Sequence, residues 1–130
     1  MTCPFCEMAA DEIVASSELS LAFFDRYPVG VGHTLIVPRR HVTSFFDLGE
    51  DEQHDLFDLM VRCKARLDAE YSPSGFNIGI NDGPTAGQTI MHVHLHLIPR
   101  YDGDVADPRG GVRWIVPEKA EYWERDHDSE

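Results

Sequence analysis

The chain has 130 residues and a mass of 14.7 kDa, which suits one compact domain and is too little for two ordinary ones. Hydrophobic residues make up 42% and charged residues 26%, so the chain is expected to fold. Eleven Lys and Arg residues against 23 Asp and Glu residues give a net charge of -12. Such a surface repels nucleic acid and anionic membranes, and neither is expected as a partner.

Targeting and disulfide signals are also missing from the sequence. No run approaches eighteen apolar residues, and residues 1–10 lack the basic and apolar regions of a signal peptide, which predicts a cytoplasmic protein. Three cysteines are too few for a disulfide framework. We expect a single domain over residues 1–130, with a motif-bearing core at 1–101, a C-terminal extension at 102–124 and a disordered end at 125–130.

The first part of the chain predicts three strands. Residues 12–16 and 19–24 are rich in apolar and β-favouring types on either side of a polar pair, which is typical of two paired strands. A third strand is predicted at residues 33–37 and ends at Pro38. Thr43 or Ser44 is then placed to cap a short helical turn.

One long helix should follow Gly49, because an acidic run at residues 50–52 favours a helix N-terminus. The helix should end near Ser72 and Pro73. Apolar side chains recur at offsets of three and four and predict one buried stripe: Leu56, Leu59, Met60, Cys63 and Leu67.

The second part of the chain predicts two more strands, at residues 76–80 and 91–98, joined by a loop of small residues. A short strand is expected at 112–116 and a short helix at 117–123. Strand runs with one long inserted helix favour an α+β fold. We expect an antiparallel sheet of about five strands with the long helix and the short helix packed on it.

Three histidines alternate with apolar residues in the last strand of the predicted sheet. His92, His94 and His96 should therefore share one face, while the apolar residues between them face the core. One metal ion held by all three is geometrically poor, since the outer Cα atoms lie about 13 Å apart on a strand. The pattern favours a division of labour among the three rings.

The run from His92 to Ile98 resembles the signature of the histidine triad (HIT) superfamily, and in particular its zinc-containing bacterial branch, similar to Hint- and Fhit-like nucleotide hydrolases. Three further segments match in order along the chain. They are Asp25 at a strand end, Gly32-His33-Thr34-Leu35 at the next strand, and Asn81 with Gly87-Gln88-Thr89 in the loop before the triad. The resemblance implies a HIT-like fold.

The resemblance also implies catalytic roles for three histidines. His94 would attack the α-phosphorus of a nucleotide and form a covalent nucleotidyl-histidine. His96 would donate to the phosphate or the leaving-group oxygen, with His33 in support from the adjacent strand. A neutral imidazole nucleophile must hold its proton on the other ring nitrogen, so we expect His94 to donate to a backbone carbonyl.

The loop before the triad is the predicted phosphate site. Backbone N–H groups freed by Gly83 and Gly87, the Thr89 hydroxyl, and the Asn81 and Gln88 amides would surround a phosphate without adding net charge. An ordinary turn is the alternative interpretation of this loop. By the resemblance Asp25 would accept hydrogen bonds from the ribose hydroxyls; its alternative role is to cap a strand end.

Cys3-Pro4-Phe5-Cys6 has the C-x-x-C spacing, which has three interpretations: a redox pair, half of a metal site, or a chance pattern. His41 and His92 are available to complete a Cys2His2 site. The resemblance implies zinc on Cys3, Cys6, His41 and His92. A four-ligand site has no open position, so this zinc would stabilise the fold, and the chemistry would require no cofactor.

The expected function is therefore nucleotide phosphohydrolysis, releasing a nucleoside monophosphate from a purine dinucleoside polyphosphate or a nucleoside phosphoramidate. A nucleotidyl transferase and a non-catalytic, zinc-stabilised nucleotide-binding module are the alternatives. The family resemblance also implies a homodimer formed through the long helix and a sheet edge. In the tail, Arg109, Arg113 and Trp114 either contact the leaving group across that dimer or belong to an ordinary surface loop.

Overall fold

The computed structural model describes residues 3–124, which form two compact units at residues 3–100 and 101–124. The disorder expected at 125–130 lies outside the described residues. Within the described chain, no helix is both long and apolar enough to cross a bilayer.

The first unit contains a five-stranded sheet in the order β1-β2-β3-β5-β4, with every neighbouring pair antiparallel. This confirms the predicted α+β class. The strands are β1 (Ile13–Ser16), β2 (Ser20–Phe24), β3 (Thr34–Pro38), β4 (Gly75–Ile80) and β5 (Leu95–Arg100). A 3-10 turn at Phe45–Asp47 follows β3, and the Ser44 hydroxyl accepts from the Phe46 N–H at its start, as predicted.

The long helix α1 runs over Glu50–Tyr71, with the predicted bounds. At its start the Gly49 N–H donates to the Glu52 carboxylate at 2.9 Å, and at its end Ser72 adopts a left-handed conformation with φ of 50°. The apolar stripe is buried against one face of the sheet, with Met60 partly buried beside it. Leu56, Leu59, Cys63 and Leu67 there contact the side chains of Ala22, Ile36, Leu95 and Leu97.

The other face of the sheet carries a second, smaller apolar cluster. Because strand side chains alternate, Phe23, Leu35 and Val37 point away from α1 and pack with Phe5 of the N-terminal segment. His96 lies directly opposite Leu35 in the β3–β5 register. The rings of His92 and His94 contact Phe5, so this second face holds all three histidines of the triad.

Two predictions of secondary structure are wrong. The strand expected at 91–98 begins only at Leu95, because the Val93 N–H donates to the Val42 carbonyl instead of joining the sheet ladder. The strand expected at 112–116 is the 3-10 helix Gly111–Ile115, which begins after Gly110 at φ of 96° and is closed by a bond from the Arg113 N–H to the Gly110 carbonyl.

The second unit contains only short helical elements among its described residues. The helix expected at 117–123 is one turn, α2 (Pro117–Ala120), followed by a 3-10 turn at Tyr122–Glu124. The Arg113 guanidinium holds this arrangement by stacking on the Tyr122 ring at 4.8 Å and donating to the carbonyls of Lys119 and Ala120.

Candidate active site and metal centre

A cavity of about 460 Å³ opens on the face of the sheet opposite α1. Its apolar walls include Phe5, Met8, Phe23, Leu35 and Ile90. Its polar lining includes Asp25, Asn81, Thr89, His94 and His96. A cavity with one apolar part and a few polar groups suits a small amphiphilic ligand such as a nucleotide.

His94 holds a defined tautomer in this cavity. It is buried, and its Nδ1 lies 2.9 Å from the backbone carbonyl of His92. Because a carbonyl oxygen only accepts, Nδ1 carries the proton of the neutral ring. The bond to a backbone carbonyl is the one predicted from the sequence. It leaves the Nε2 lone pair free, and no described residue donates to it.

His96 and His33 form a chain of hydrogen bonds that begins at the backbone. The Val29 N–H donates to His33 Nδ1 at 3.0 Å, so the proton of His33 is on Nε2. That nitrogen lies 2.9 Å from His96 Nδ1, which must accept, and the proton of His96 is therefore on Nε2. An Asp25 carboxylate oxygen lies 3.5 Å from the same His33 nitrogen. These hydrogen bonds leave His96 Nε2–H as a donor at the cavity.

The lowered pKa values of His33 and His96 keep both rings neutral. Burial, together with smaller contributions from the neighbouring His94 and His33 rings, lowers the pKa of His96 to about 4. Burial also lowers the pKa of His33, against the opposing effect of Asp25. The hydrogen-bond directions derived above therefore hold near pH 7.

In the loop before the triad, Asn81, Gly87 and Thr89 line the cavity, whereas the Gln88 side chain is bonded within the protein. Gln88 is only 3% exposed, accepts from the Gly83 N–H at 2.8 Å and donates to the carbonyls of Thr43 and Ile90. The Gly87 N–H donates to the Pro84 carbonyl. The Gln88 amide and the N–H groups of Gly83 and Gly87 are therefore bonded within the protein in this structure.

Two predicted polar groups of this loop do face the cavity. The Asn81 amide and the Thr89 hydroxyl line it, and neither has a hydrogen-bond partner among residues 3–124. Asp25 lines it as well, with one carboxylate oxygen accepting from the Tyr27 N–H at 2.9 Å. That bond matches the strand-end role, while the remaining lone pairs of the carboxylate can still accept.

The ligand atoms of Cys3, Cys6, His41 and His92 all lie within 4.8 Å of one another, a group that could hold a metal ion. The thiol of Cys6 is 3.3 Å from His41 Nδ1 and 3.5 Å from His92 Nδ1. Ideal tetrahedral zinc places sulfur and nitrogen ligands about 3.6 Å apart. The four residues therefore fit zinc in their spacing and donor chemistry.

The orientation of His92 also suits a metal ligand. Its Nε2 lies 2.8 Å from the Pro38 carbonyl and so carries the proton, which leaves the Nδ1 lone pair facing the two thiols. Burial lowers the pKa of His92, which keeps the ring neutral, as a metal ligand must be.

The apolar and rim residues of the cavity could not be identified from the triad motif. Phe5, Met8, Arg26 and Tyr27 all line it, and none belongs to the triad motif. The alternation of β2 and β3 could have placed Phe23 and Leu35 on the histidine face. The contribution of the N-terminal segment depends on how it folds back, which has no local sequence signal.

The tail residues form their own contacts within the second unit. Arg109 pairs with the Asp107 carboxylate and stacks on the Trp123 ring at 4.5 Å, and the Trp114 indole N–H donates to the Arg109 carbonyl. Arg113 stacks on Tyr122 and donates to backbone carbonyls of the same unit. These contacts match the surface-loop interpretation of the three residues.

A protein-family model described as HIT domain matches residues 7–103. An uncharacterized HIT-like protein of Methanocaldococcus jannaschii is 40% identical over 106 residues, covering 78% of this chain and 81% of that protein. The asymmetrical bis(5'-nucleosyl)-tetraphosphatase of Schizosaccharomyces pombe is 38% identical over 96 residues, covering 74% of this chain. This chain spans only 53% of that enzyme's length.

Solved structures agree with these sequence matches. A HIT family protein of Bacillus subtilis superimposes with a TM-score of 0.74 at 30% identity, covering 92% of this chain and 89% of that one. A HIT family protein of Bacillus anthracis gives a TM-score of 0.73 at 34% identity, covering 90% and 88%. The predicted fold is thereby confirmed.

Proposed function

This chain belongs to the HIT domain family, and from that premise we propose that it is a nucleotide phosphohydrolase. It attacks the α-phosphate of a purine nucleoside conjugate, either a dinucleoside polyphosphate or a nucleoside phosphoramidate, and releases a nucleoside monophosphate. The observation that carries the proposal is the free Nε2 of His94, held at the cavity by the bond from Nδ1–H to the His92 carbonyl.

The reaction consists of two displacements at phosphorus. His94 Nε2 attacks, a phosphorus–nitrogen bond forms, and the bond to the leaving group breaks with its electron pair on the leaving group. Water then attacks the nucleotidyl-histidine, a phosphorus–oxygen bond forms, the phosphorus–nitrogen bond breaks with its electron pair returning to Nε2, and one proton of that water is released to solvent. The His96 Nε2–H donates a hydrogen bond to the departing atom and stabilises its developing charge.

The remaining polar groups are suited to orienting the substrate. The Thr89 hydroxyl and the Asn81 amide can donate to phosphate oxygens, and the Asp25 carboxylate can accept from ribose hydroxyls. The apolar walls at Phe5 and Phe23 suit the purine base. These neutral donors bind an anion without a cluster of basic residues, which agrees with the net charge of -12.

We assign the metal group to structural zinc on Cys3, Cys6, His41 and His92, supported by the fit of their ligand atoms. Zinc held by four protein ligands has no open position for substrate, so it stabilises the N-terminal segment. We also propose a homodimer formed through α1 and the edge strand β4. Large apolar side chains are exposed on both elements, at Phe57, Val61 and Ile78.

Rapid quenching tests the proposal. Protein mixed with diadenosine tetraphosphate and stopped in acid-free denaturant should gain the mass of one adenylyl group, whereas His94→Gly should gain none. A module that only binds nucleotides would give no adduct in either protein. An adduct that discharges only to an added acceptor, and not to water, would instead establish a nucleotidyl transferase.

A further inference from the structure

The two residues between the metal-site cysteines form part of the cavity wall. Pro4 and Phe5 both line the cavity, although Cys3 and Cys6 on either side of them belong to the metal group. A tight turn joins the cysteines, because the Cys6 N–H donates to the Cys3 carbonyl at 3.1 Å. The conformation of this turn therefore sets the position of the wall.

Phe5 contacts both neighbouring histidines. Its ring is only 7% exposed and packs edge-on against the rings of His94, with centroids 5.1 Å apart, and His92, at 5.9 Å. A third contact, at 5.2 Å, joins it to Phe23 on the sheet. Phe5 thus lies against both a proposed metal ligand and the proposed nucleophile, and its packing restricts the orientation of both rings.

His92 provides a second connection between the two sites. Its Nδ1 faces the thiols of Cys3 and Cys6, while its backbone carbonyl accepts from His94 Nδ1–H. A displacement of the metal site would therefore act on His94 through this carbonyl as well as through the Phe5 ring.

We propose that Phe5 is a positioning residue that couples the metal site to the nucleotide cavity, so that metal and nucleotide each strengthen binding of the other. The inference rests on the proposed function and on metal occupying the Cys2His2 group. The metal fixes the Cys3–Cys6 turn, the turn fixes Phe5, and Phe5 completes the wall and restrains the His94 ring. Thermodynamic linkage requires the coupling factor to be equal in both directions.

Zinc transfer to a chromophoric chelator measures this coupling on the intact, zinc-loaded protein. Saturating adenosine 5'-monophosphate should tighten zinc binding by about tenfold in the wild type and by less than twofold in Phe5→Ala. Zinc removal should weaken binding of the monophosphate by the same factor. Phe5→Leu replaces Phe5→Ala if the alanine variant does not fold.

Met8→Ala is the matched control, because Met8 lines the same wall and has no ring contact with the histidines. It should weaken monophosphate binding and leave the tenfold coupling intact. Equal zinc affinity with and without the monophosphate in the wild type, or full coupling in Phe5→Ala, would overturn the proposal.

The nitrogen-15 spectrum of His94 separates this claim from the proposed function. The Nδ1–H tautomer should dominate in the zinc-loaded wild type and in Met8→Ala, and its population should fall in Phe5→Ala. An unchanged tautomer in Phe5→Ala would contradict the positioning role, even if the protein binds or hydrolyses nucleotides. Failure of the wild type to bind any nucleoside monophosphate would instead contradict the proposed function.

Discussion

The proton positions of His33 and His96 are set by one backbone group, the Val29 N–H. Its bond to His33 Nδ1 determines the His33 tautomer, and that tautomer determines which nitrogen of His96 carries a proton. In the proposed reaction, His33 acts on the leaving group through His96. This direction of the hydrogen bonds follows from geometry and could not be predicted from the motif, because Val29 lies in a loop with no pattern of its own.

Replacement of His33 tests this chain of hydrogen bonds. His33→Ala removes the donor to His96 Nδ1, so His96 loses its fixed tautomer, and we expect kcat to fall about 100-fold. The Kd for adenosine 5'-monophosphate should change less than threefold, because the cavity walls remain. His54→Ala, on the exposed side of α1, is the control and should match the wild type. Weaker binding of the monophosphate with an unchanged kcat would contradict this role.

Burial of His96 predicts a pH-dependent stability. The pKa of His96 is about 4 in the fold, against 6.5 for an ordinary histidine, so the unfolded chain binds more protons between these values. The stabilisation is complete above pH 6.5 and is lost as the pH falls towards 4. Because the ring is only half-buried, we expect the free energy of unfolding to fall by about 1–2 kcal/mol over this pH range.

Urea unfolding at pH 7.5 and at pH 4.5 measures this effect. His96→Gln cannot take up the proton, so its free energy of unfolding should decline less than that of the wild type by the same amount. The carboxylates and the proposed metal ligands are the same in both proteins, so comparing the two declines isolates the contribution of His96. Parallel declines would show that His96 does not titrate in this range.

At the level of secondary structure, the buried Gln88 side chain makes three of the hydrogen bonds that hold the loop over residues 81–90. Gln88→Ala would leave the Gly83 N–H and the carbonyls of Thr43 and Ile90 without their partner. We expect a loss of about 2–3 kcal/mol in the free energy of unfolding. Thr89→Val, one position along, should change stability by less than about 0.5 kcal/mol while weakening nucleotide binding. Calorimetry and titration measure the two effects, and equal destabilisation by both variants would contradict this assignment.

The same elements show what the sequence could and could not predict. Periodicity was sufficient for α1 and for the sheet, because burial on one face imposes a regular pattern. It placed the start of β5 too early, since the apolar alternation continues through Val93 although that N–H bonds to Val42. Gly83 and Gly87 marked a loop, but which donors remain free depends on tertiary bonds from Gln88.

At the scale of the whole molecule, the proposed metal site joins the N-terminal segment, through Cys3 and Cys6, to His41 and His92. Structural zinc contributes on the order of 10 kcal/mol to folding, more than a short segment could gain by packing alone. We expect about one zinc per chain in freshly purified protein. Cys3→Ser should release it and lower Tm by at least about 10 °C.

Cys63→Ala provides the comparison for Cys3→Ser. Cys63 is buried in the stripe of α1, away from the metal group, so its replacement should retain zinc and cost only the packing of one small side chain. Metal analysis measures the zinc content of both variants, and thermal unfolding measures their Tm. Fresh protein without metal, or Cys3→Ser that keeps a full equivalent, would show that the four residues do not bind zinc.

In the proposed reaction two displacements occur at one phosphorus atom, the first by His94. The configuration of the α-phosphorus tests it directly, using a substrate made chiral there with sulfur and an oxygen isotope. Two displacements each invert the centre, so hydrolysis should release nucleoside phosphorothioate with retained configuration. Inversion would mean that water attacks the substrate directly, and would contradict a nucleotidyl-histidine.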